Sequence, residues 1–254
     1  MKTNIQIIQS LKSVRPIVAT TVYDSVMAQL ADQSDIDLLL VGDSVGTTLL
    51  GFETTINVTL EMMLHHTSAV SRAQTKALIV SDLPYGYSHD AFEHIFEACR
   101  KLIQAGASAV KIEGGSPIAP TIKRLVDSGI PVLGHIGLLP QQIKNLGKYR
   151  KFGKTEAEAE ALMQDANTLE DAGCFALIAE MVSETVAKEI SEMTKIPLIG
   201  IGSGVHCDGQ ILVSNDLLGL TTKTLPSFVH SFSNLSQNVI QSFQEYKKAV
   251  IERK

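Results

Sequence analysis

Short runs of apolar residues recur along this chain, and each ends at a polar residue. The clearest run, Leu38–Val41, has no alternation of apolar and polar positions and is followed by Gly42, Asp43 and Ser44. A continuous apolar run bounded by turn residues is typical of a strand buried on both faces in a parallel sheet. Asp43 and Ser44 then lie at the carboxyl end of that strand, where ligands bind in parallel α/β folds.

Eight such runs occur, and most are separated by segments with helical periodicity. The predicted strands cover residues 16–21, 37–42, 77–81, 109–112, 131–134, 175–179, 198–202 and 210–213. Eight strands alternating with helices in about 250 residues predict an α/β fold, a (β/α)8 TIM barrel. We expect a single barrel domain over residues 1–254. The alternative is an open doubly wound sheet, but Gly200–Val205 lacks the third glycine of a dinucleotide-binding fingerprint.

Two helices are predicted outside this repeating pattern. Residues 5–12 have the spacing of a short amphipathic helix before the first strand. Near the end of the chain, apolar residues recur at steps of three or four, which predicts one long amphipathic helix: Phe228, Phe232, Leu235, Val239, Phe243, Tyr246 and Val250. We expect this helix to cover the barrel; the alternative is that it joins subunits. Residues 44–60 and 137–154 are predicted to form long loops, of the kind that often carry function after barrel strands.

Composition excludes several classes of protein. The formal net charge is −5, so the basic face of a nucleic-acid-binding protein is not expected. No apolar run approaches the roughly 18 residues that a membrane span needs, and the first residues lack the apolar core of a signal peptide. We therefore expect a cytoplasmic protein with neither membrane nor nucleic-acid partners.

Cysteines and two histidine segments are interpreted as structural. Cys99, Cys174 and Cys207 are too widely spaced for a disulfide framework or a paired-cysteine metal site, and we expect small buried side chains in a reducing compartment. The segment His206–Asp208 lacks zinc-ligand spacing and is interpreted as a loop. His65–His66 forms no zinc motif either.

Three acidic residues follow adjacent predicted strands. Asp43, Asp82 and Glu113 come at the ends of the second, third and fourth strands, so a barrel brings them to one mouth, where their charges repel. A divalent cation removes this repulsion, and all-oxygen ligands favour Mg²⁺ over Zn²⁺. We predict a Mg²⁺ site there, with water filling part of its shell. The alternative is that one or two of these acids cap a helix or pair with a lysine.

Three further residues are expected at the same mouth. Lys111 lies two positions before Glu113 on one strand, so both face the barrel interior, where a lysine suits a substrate carboxylate or an oxyanion. Glu180 ends the sixth strand and is interpreted as a general base or, alternatively, a helix cap. His135 is expected to orient a ligand, or to be a core histidine bonded to backbone. Together these groups predict that a 2-oxo acid is converted to an enolate, without identifying the electrophile.

These motifs resemble the ketopantoate hydroxymethyltransferase family from about residue 3 to residue 230. The matching segments include Leu40–Ser44, Val58–Met62, Asp82–Pro84, Val110–Gly115, Gly134–Leu138, Pro140–Gln141, Ile199–Gly202 and Cys207–Gln210. The resemblance implies a barrel of the phosphoenolpyruvate/pyruvate type. It implies transfer of a hydroxymethyl group from the co-substrate 5,10-methylenetetrahydrofolate to 3-methyl-2-oxobutanoate, giving 2-dehydropantoate through a Mg²⁺-stabilised enolate, in pantothenate and coenzyme A biosynthesis.

The resemblance also implies residue roles and an assembly. Asp43, Asp82 and Glu113 match the Mg²⁺ ligands; Asp43, Ser44, Asp82 and Lys111 match the oxo-acid contacts; Glu180 matches the proton acceptor. The implied assembly is a homo-oligomer, a decamer arranged as a pentamer of dimers. One competing interpretation is a C–C lyase or mutase of the same barrel superfamily that acts on a 2-oxo or 2-hydroxy acid without folate. Another is a binding protein that has lost activity, although none of the expected acids is missing.

The sequence departs from the family pattern at several positions. Leu139 stands where the family usually has threonine, Ser203 where it has alanine and Gly86 where it has methionine. The family also usually has proline near the position of Ser183. None of these changes removes a catalytic group, but Leu139 and Gly86 lie near the expected pocket mouth, so they bear on folate affinity. The basic segment 144–154 is interpreted either as an attractor of the glutamate tail of folate or as a solvated loop.

Overall fold

Eight parallel strands form a closed barrel in the computed structural model, which describes residues 2–222 and 224–253. The strands follow one another around the barrel in chain order, as a (β/α)8 barrel requires. Their bounds are Ile17–Thr21 (β1), Leu38–Val41 (β2), Leu78–Asp82 (β3), Ala109–Glu113 (β4), Val132–Gly137 (β5), Ala176–Glu180 (β6), Leu198–Ile201 (β7) and Gly209–Leu212 (β8). The barrel prediction is confirmed, and the open-sheet alternative is wrong.

Helices connect the strands. The α-helices are Ile5–Ser10 (α1), Ser25–Gln33 (α2), Val45–Thr48 (α3), Leu60–Ser71 (α4), Phe92–Gln104 (α5), Ala119–Asp127 (α6), Ile143–Leu146 (α7), Glu156–Asp171 (α8), Glu184–Met193 (α9), Ser214–Leu217 (α10) and Leu235–Ile251 (α11). Short 3₁₀-helices cover Thr55–Asn57, Tyr87–His89, Ser116–Ile118 and Pro140–Gln142. None of the described helices has the length and apolar character of a membrane span.

Side-chain caps explain where several helices begin. The Asp24 carboxylate accepts hydrogen bonds from two backbone N–H groups in the first turn of α2. The Thr59 and Thr155 hydroxyls do the same, each for one N–H group, at the starts of α4 and α8. These N–H groups have no partner within their own helices, so each cap fixes the end of a loop that leads out of the barrel.

Both segments predicted as long loops contain short helices. Residues 44–60 include α3 and a 3₁₀-helix, and residues 137–154 include another 3₁₀-helix and α7. Helices of three or four residues complete about one turn, so they leave no repeating apolar pattern in the sequence.

Alternation along β4 separates the barrel interior from the layer beneath the helices. Val110 and Ile112 belong to the apolar cluster that packs the strands against the helices, whereas Ala109 belongs to the cluster inside the barrel. Because successive side chains point to opposite faces of a strand, Lys111 and Glu113 face the interior with Ala109. The apolar residues of β4 therefore fix the direction of its two charged residues.

The chain divides into two compact units, one that ends at Ile211 and one that begins at Leu212. The single-domain prediction stays a prediction. In the second unit, α11 begins later than the apolar stripe, because the N–H of Phe232 is bonded to the Leu217 carbonyl instead of to a helical partner. None of the residues of α11 is buried. Both roles predicted for this helix, covering the barrel and joining subunits, stay predictions.

An ion pair joins segments at the amino-terminal ends of the strands. The Lys12 ammonium lies 2.6 Å from Asp208 Oδ2, which also accepts hydrogen bonds from the Ser191 hydroxyl and the Leu198 N–H, each at 2.9 Å. The side chains of Lys12 and Asp208 are only 13% and 11% exposed. Asp208 therefore has a structural role, in agreement with the interpretation of His206–Asp208 as a loop.

Replacing Asp208 with alanine should lower the free energy of unfolding by about 2–4 kcal/mol, since three donors lose one shared acceptor in a mostly buried place. Urea denaturation measures this change. Asp127→Ala is the matched control, because the Asp127–Lys123 pair is more than half exposed and should contribute less than about 1 kcal/mol. Equal losses in the two variants would contradict the structural role of Asp208.

Candidate active site

The carboxyl ends of three neighbouring strands bring three acidic side chains together. Asp82 is the last residue of β3, Glu113 is the last residue of β4, and Asp43 follows β2. All three are buried, with at most 4% of their surface exposed. The backbone N–H of Asp43 donates to Asp82 Oδ2 over 2.9 Å, which ties the loop after β2 to β3.

Lys111 provides a cation within this cluster. It pairs in register with Asp82 on the neighbouring strand, and its Nζ lies 3.0 Å from Asp82 Oδ1 and 3.8 Å from Glu113 Oε1. Burial lowers the pKa of Lys111, but attraction by Asp82, Glu113 and Asp43 outweighs burial and raises that pKa above its ordinary value. Lys111 is therefore an ammonium at neutral pH.

One ammonium does not balance three carboxylates. Burial, together with repulsion from Asp82 and Glu113, raises the pKa of Asp43 well above its ordinary value. Burial also raises the pKa of Asp82, even though Lys111 opposes it. For Glu113, attraction by His135 and Lys111 outweighs burial and lowers the pKa. Full ionisation of the cluster is thus unfavourable without further positive charge.

The donor set fits a hydrated Mg²⁺ ion. Apart from their ion pairs, Asp82 Oδ1 and Glu113 Oε1 are buried and accept no hydrogen bond from the described residues. Within residues 2–222 and 224–253, no three His, Cys, Asp or Glu side chains form a ready-made metal site. Mg²⁺ usually keeps several waters and uses one or two carboxylates, so oxygen ligands that form no closed cage suit it better than a structural Zn²⁺ ion.

His135 connects this cluster to Glu180. Its Nδ1 lies 3.3 Å from Lys111 Nζ and 3.5 Å from Glu113 Oε1, and its Nε2 lies 3.4 Å from Glu180 Oε2. Burial and Lys111 lower the pKa of His135, but Glu113 and Glu180 outweigh them and raise it above its ordinary value. The contacts given for the ring are with side chains, and its role towards a ligand stays a prediction.

Glu180 is the last residue of β6, and its side chain is 20% exposed. It is thus more open than the other charged groups of the site, which suits a group that exchanges protons with a ligand.

Ser203 stabilises the turn that follows Glu180. The Ser203 hydroxyl donates to the Ala179 carbonyl over 2.8 Å and accepts from the Val182 N–H over 3.0 Å. Met181, which lies in this turn directly before Val182, has a left-handed backbone with φ of 52°.

Ser44 is half-buried beside Asp43. Its hydroxyl oxygen lies 2.9 Å from the Tyr23 hydroxyl, and Tyr23 is buried. A Cβ atom at Gly42 would lie 2.7 Å from Ser44 Oγ, so the glycine leaves room for this hydroxyl. His66 Nδ1 contacts the Tyr23 carbonyl at 2.7 Å, which agrees with a structural role for that histidine.

Three polar residues of the site were not predicted from sequence: Tyr23, Gln141 and Ser203. Gln141 contacts Asp43 and Glu113, yet in the sequence it is the first of two glutamines after a proline, with neither charge nor periodicity to distinguish it. Tyr23 and Ser203 likewise act through contacts with distant segments.

The exposed mouth includes a cavity of about 310 Å³ whose lining contains Tyr85, His89, Glu113 and Lys144.

Ser203→Ala should lower the free energy of unfolding by about 1–3 kcal/mol, because it leaves the buried Val182 N–H without its acceptor. Chemical denaturation measures the loss. Ser34→Ala serves as the control, since the exposed Ser34 hydroxyl bonds only within its own helix end and should contribute less than about 0.5 kcal/mol. A Ser203→Ala protein as stable as the wild type would show that the turn after Glu180 does not need this hydroxyl.

Solved structures of other enzymes share this fold. One is 2,3-dimethylmalate lyase, described as a member of the PEP mutase/isocitrate lyase superfamily, with a TM-score of 0.62, 13% identity, and coverage of 100% of this chain and 87% of that chain. Another is phosphonopyruvate hydrolase in complex with oxalate and Mg²⁺, with a TM-score of 0.65, 11% identity, and coverage of 98% and 88%. Identities this low show the fold alone, and they agree with the closed (β/α)8 barrel described above.

Curated relatives are much more similar in sequence, and those that follow are each named 3-methyl-2-oxobutanoate hydroxymethyltransferase. The protein from Thermotoga neapolitana is 47% identical over 249 residues, covering 98% of this chain and 92% of that protein. Those from Nitrosopumilus maritimus and Trichodesmium erythraeum are 48% and 47% identical, covering 96% and 99% of this chain and 88% and 96% of their own. The family model described as ketopantoate hydroxymethyltransferase matches residues 2–254. The resemblance is confirmed: this enzyme belongs to the ketopantoate hydroxymethyltransferase family.

Proposed function

We propose that this enzyme transfers a hydroxymethyl group from 5,10-methylenetetrahydrofolate to 3-methyl-2-oxobutanoate, with uptake of water, giving 2-dehydropantoate and tetrahydrofolate for pantothenate and coenzyme A biosynthesis. The names of its relatives support the reaction. The observation that carries it is the continuous set of polar contacts across the barrel mouth. These contacts lead from the buried acids through Lys111 and His135 to Glu180.

Asp43, Asp82 and Glu113 would hold Mg²⁺, which supplies a Lewis acid for the 2-oxo group of the substrate. Lys111 is the fixed cation of the site. Because its ammonium is held by carboxylates on two strands, it can bind the substrate carboxylate or the developing enolate oxygen without moving. The Ser44 hydroxyl, oriented by Tyr23, provides a second polar contact for the oxo acid.

Glu180 accepts the proton from C3 of the oxo acid. Its carboxylate is 20% exposed, more than the other charged groups of the site, and one of its oxygens lies 3.4 Å from His135 Nε2. The electron pair left at C3 then forms the new carbon–carbon bond to the one-carbon unit of the folate. Both bonds from that carbon to folate nitrogens break, water supplies the hydroxyl oxygen, and the proton from C3 and one from water go to the nitrogens of the leaving tetrahydrofolate. The acids and the base thus lie at the two ends of one set of contacts, with Lys111 and His135 between them.

A second candidate is a C–C lyase or mutase that needs no folate. The shared fold with 2,3-dimethylmalate lyase favours it, although at 13% identity that likeness shows the fold alone. Cleavage of an isocitrate-like acid, without turnover of methylenetetrahydrofolate, would support this candidate over the transferase.

We also propose that the chain assembles into a decamer, acts in the cytoplasm and has no nucleic-acid or membrane partner. These proposals rest on the family resemblance and on composition, with a net charge of −5.

Glu180→Gln should slow proton exchange at C3 of 3-methyl-2-oxobutanoate by about 100-fold or more, because the amide cannot accept the proton. Proton NMR in D₂O with Mg²⁺ and without folate measures the exchange. Glu189→Gln, at an exposed position on α9, is the control and should exchange like the wild type. Exchange that persists in Glu180→Gln would assign the base elsewhere. If the wild type exchanges only when tetrahydrofolate is added, folate binds first; no exchange in either condition would contradict the proposed substrate.

Reversing the charges of Lys144 and Lys148 to glutamate should raise the KM for polyglutamylated methylenetetrahydrofolate by about threefold or more, because these lysines then repel the anionic tail. The KM for the oxo acid should not change. Steady-state kinetics with mono- and polyglutamylated folates checks both expectations. The control reverses Lys188 and Lys195, which are exposed on another part of the first unit. An unchanged KM for folate would contradict attraction of the glutamate tail and support the interpretation of residues 144–154 as a solvated loop.

A further inference from the structure

Gln141 contacts the carboxylate cluster but has no role in the chemistry proposed above. It lies in the 3₁₀-helix Pro140–Gln142, directly after β5, and only 5% of its surface is exposed. A glutamine side chain buried to this degree normally needs partners for its amide. Its partners are therefore informative about what the loop after β5 does.

Both hydrogens of the Gln141 amide have acceptors. Nε2 lies 2.9 Å from Asp43 Oδ2 and 3.0 Å from the Leu83 carbonyl oxygen. Because the Leu83 carbonyl can only accept, the amide nitrogen must face it and the side chain has one orientation. Leu83 directly follows Asp82, so a single side chain joins the loops after β2 and β3.

The backbone of Gln141 reaches the third acid. Its N–H donates to Glu113 Oε2 over 3.1 Å, whereas Glu113 Oε1 accepts no hydrogen bond from the described residues and faces Lys111 and His135. Position 141 thus binds one oxygen of Asp43 and one oxygen of Glu113. The side-chain contacts also fix the short helix whose backbone makes the bond to Glu113.

We propose that Gln141 is a positioning residue for the metal-binding carboxylates: it holds Asp43 and Glu113 by one oxygen each and so fixes the orientation in which the two carboxylates would bind a hydrated Mg²⁺ ion. The inference rests on the Mg²⁺ centre of the proposed function. Gln141 contacts neither metal nor substrate in this arrangement. Groups that orient metal ligands in this way commonly change metal affinity by about 10- to 100-fold when they are removed.

Gln141→Met tests the proposal, because methionine has a similar length and volume but no amide hydrogens. Isothermal titration of the chelator-treated protein with MgCl₂ alone should show about 10- to 100-fold weaker binding than for the wild type. Raising Mg²⁺ to saturation should restore much of the C3 proton exchange, which a general loss of structure would not allow. Gln142→Met, at the exposed next position, is the matched control and should bind Mg²⁺ like the wild type.

Mg²⁺ affinity within about twofold of the wild type, in a Gln141→Met protein with native circular dichroism, would overturn the role of Gln141. If that variant does not fold, Gln141→Asn takes its place, because the shorter amide cannot reach both acceptors, and the same two outcomes apply. A wild-type protein that binds no Mg²⁺ at millimolar concentration would instead contradict the metal centre itself, and the inference would fall with it.

Discussion

Burial of three carboxylates around one ammonium is the constraint on which the mouth of this barrel depends. Buried charges are costly unless they are paired and hydrogen-bonded, and here each acid has a specific donor. Asp82 receives the N–H of Asp43 and the charge of Lys111, whereas Asp43 and Glu113 each receive a hydrogen bond from Gln141. These hydrogen bonds lower the cost of burying the carboxylates but do not neutralise their negative charge. The cluster keeps a negative excess that a divalent cation would neutralise.

The register of the barrel makes this arrangement possible. Asp82 pairs with Lys111 across β3 and β4, and Glu113 pairs with His135 across β4 and β5. A shift of one residue in β4 would turn Lys111 and Glu113 towards the helices and bring Val110 and Ile112 into the mouth. The apolar packing beneath the helices therefore protects the site from such a shift. Stability of the core and geometry of the site are set by the same strand.

The sequence was most informative where a local pattern carries the signal. A buried parallel strand needs a continuous apolar run, so the strand ends were visible, and with them Asp43, Asp82, Glu113 and Glu180. Contacts between distant segments leave no such pattern. The Gln141 amide, the Ser203 hydroxyl and the position of His135 between two acids depend on loops that meet only in the folded barrel. The late start of α11 has the same origin, because the carbonyl of Leu217, the last residue of α10, binds the N–H of Phe232, which the apolar stripe had assigned to a helix.

The two ends of the barrel use buried charge for different purposes. At the amino-terminal ends of the strands, Asp208 is matched by one ammonium and two neutral donors, so the charges are satisfied within the protein. At the carboxyl ends, the acids outnumber Lys111, and Asp43 bears most of the imbalance as a raised pKa. An ion cluster that only stabilises a fold has no reason to retain such an imbalance. The excess charge at one end, in contrast to a complete ion pair at the other, is therefore the physical argument for the cation site that we propose at the carboxyl ends of the strands.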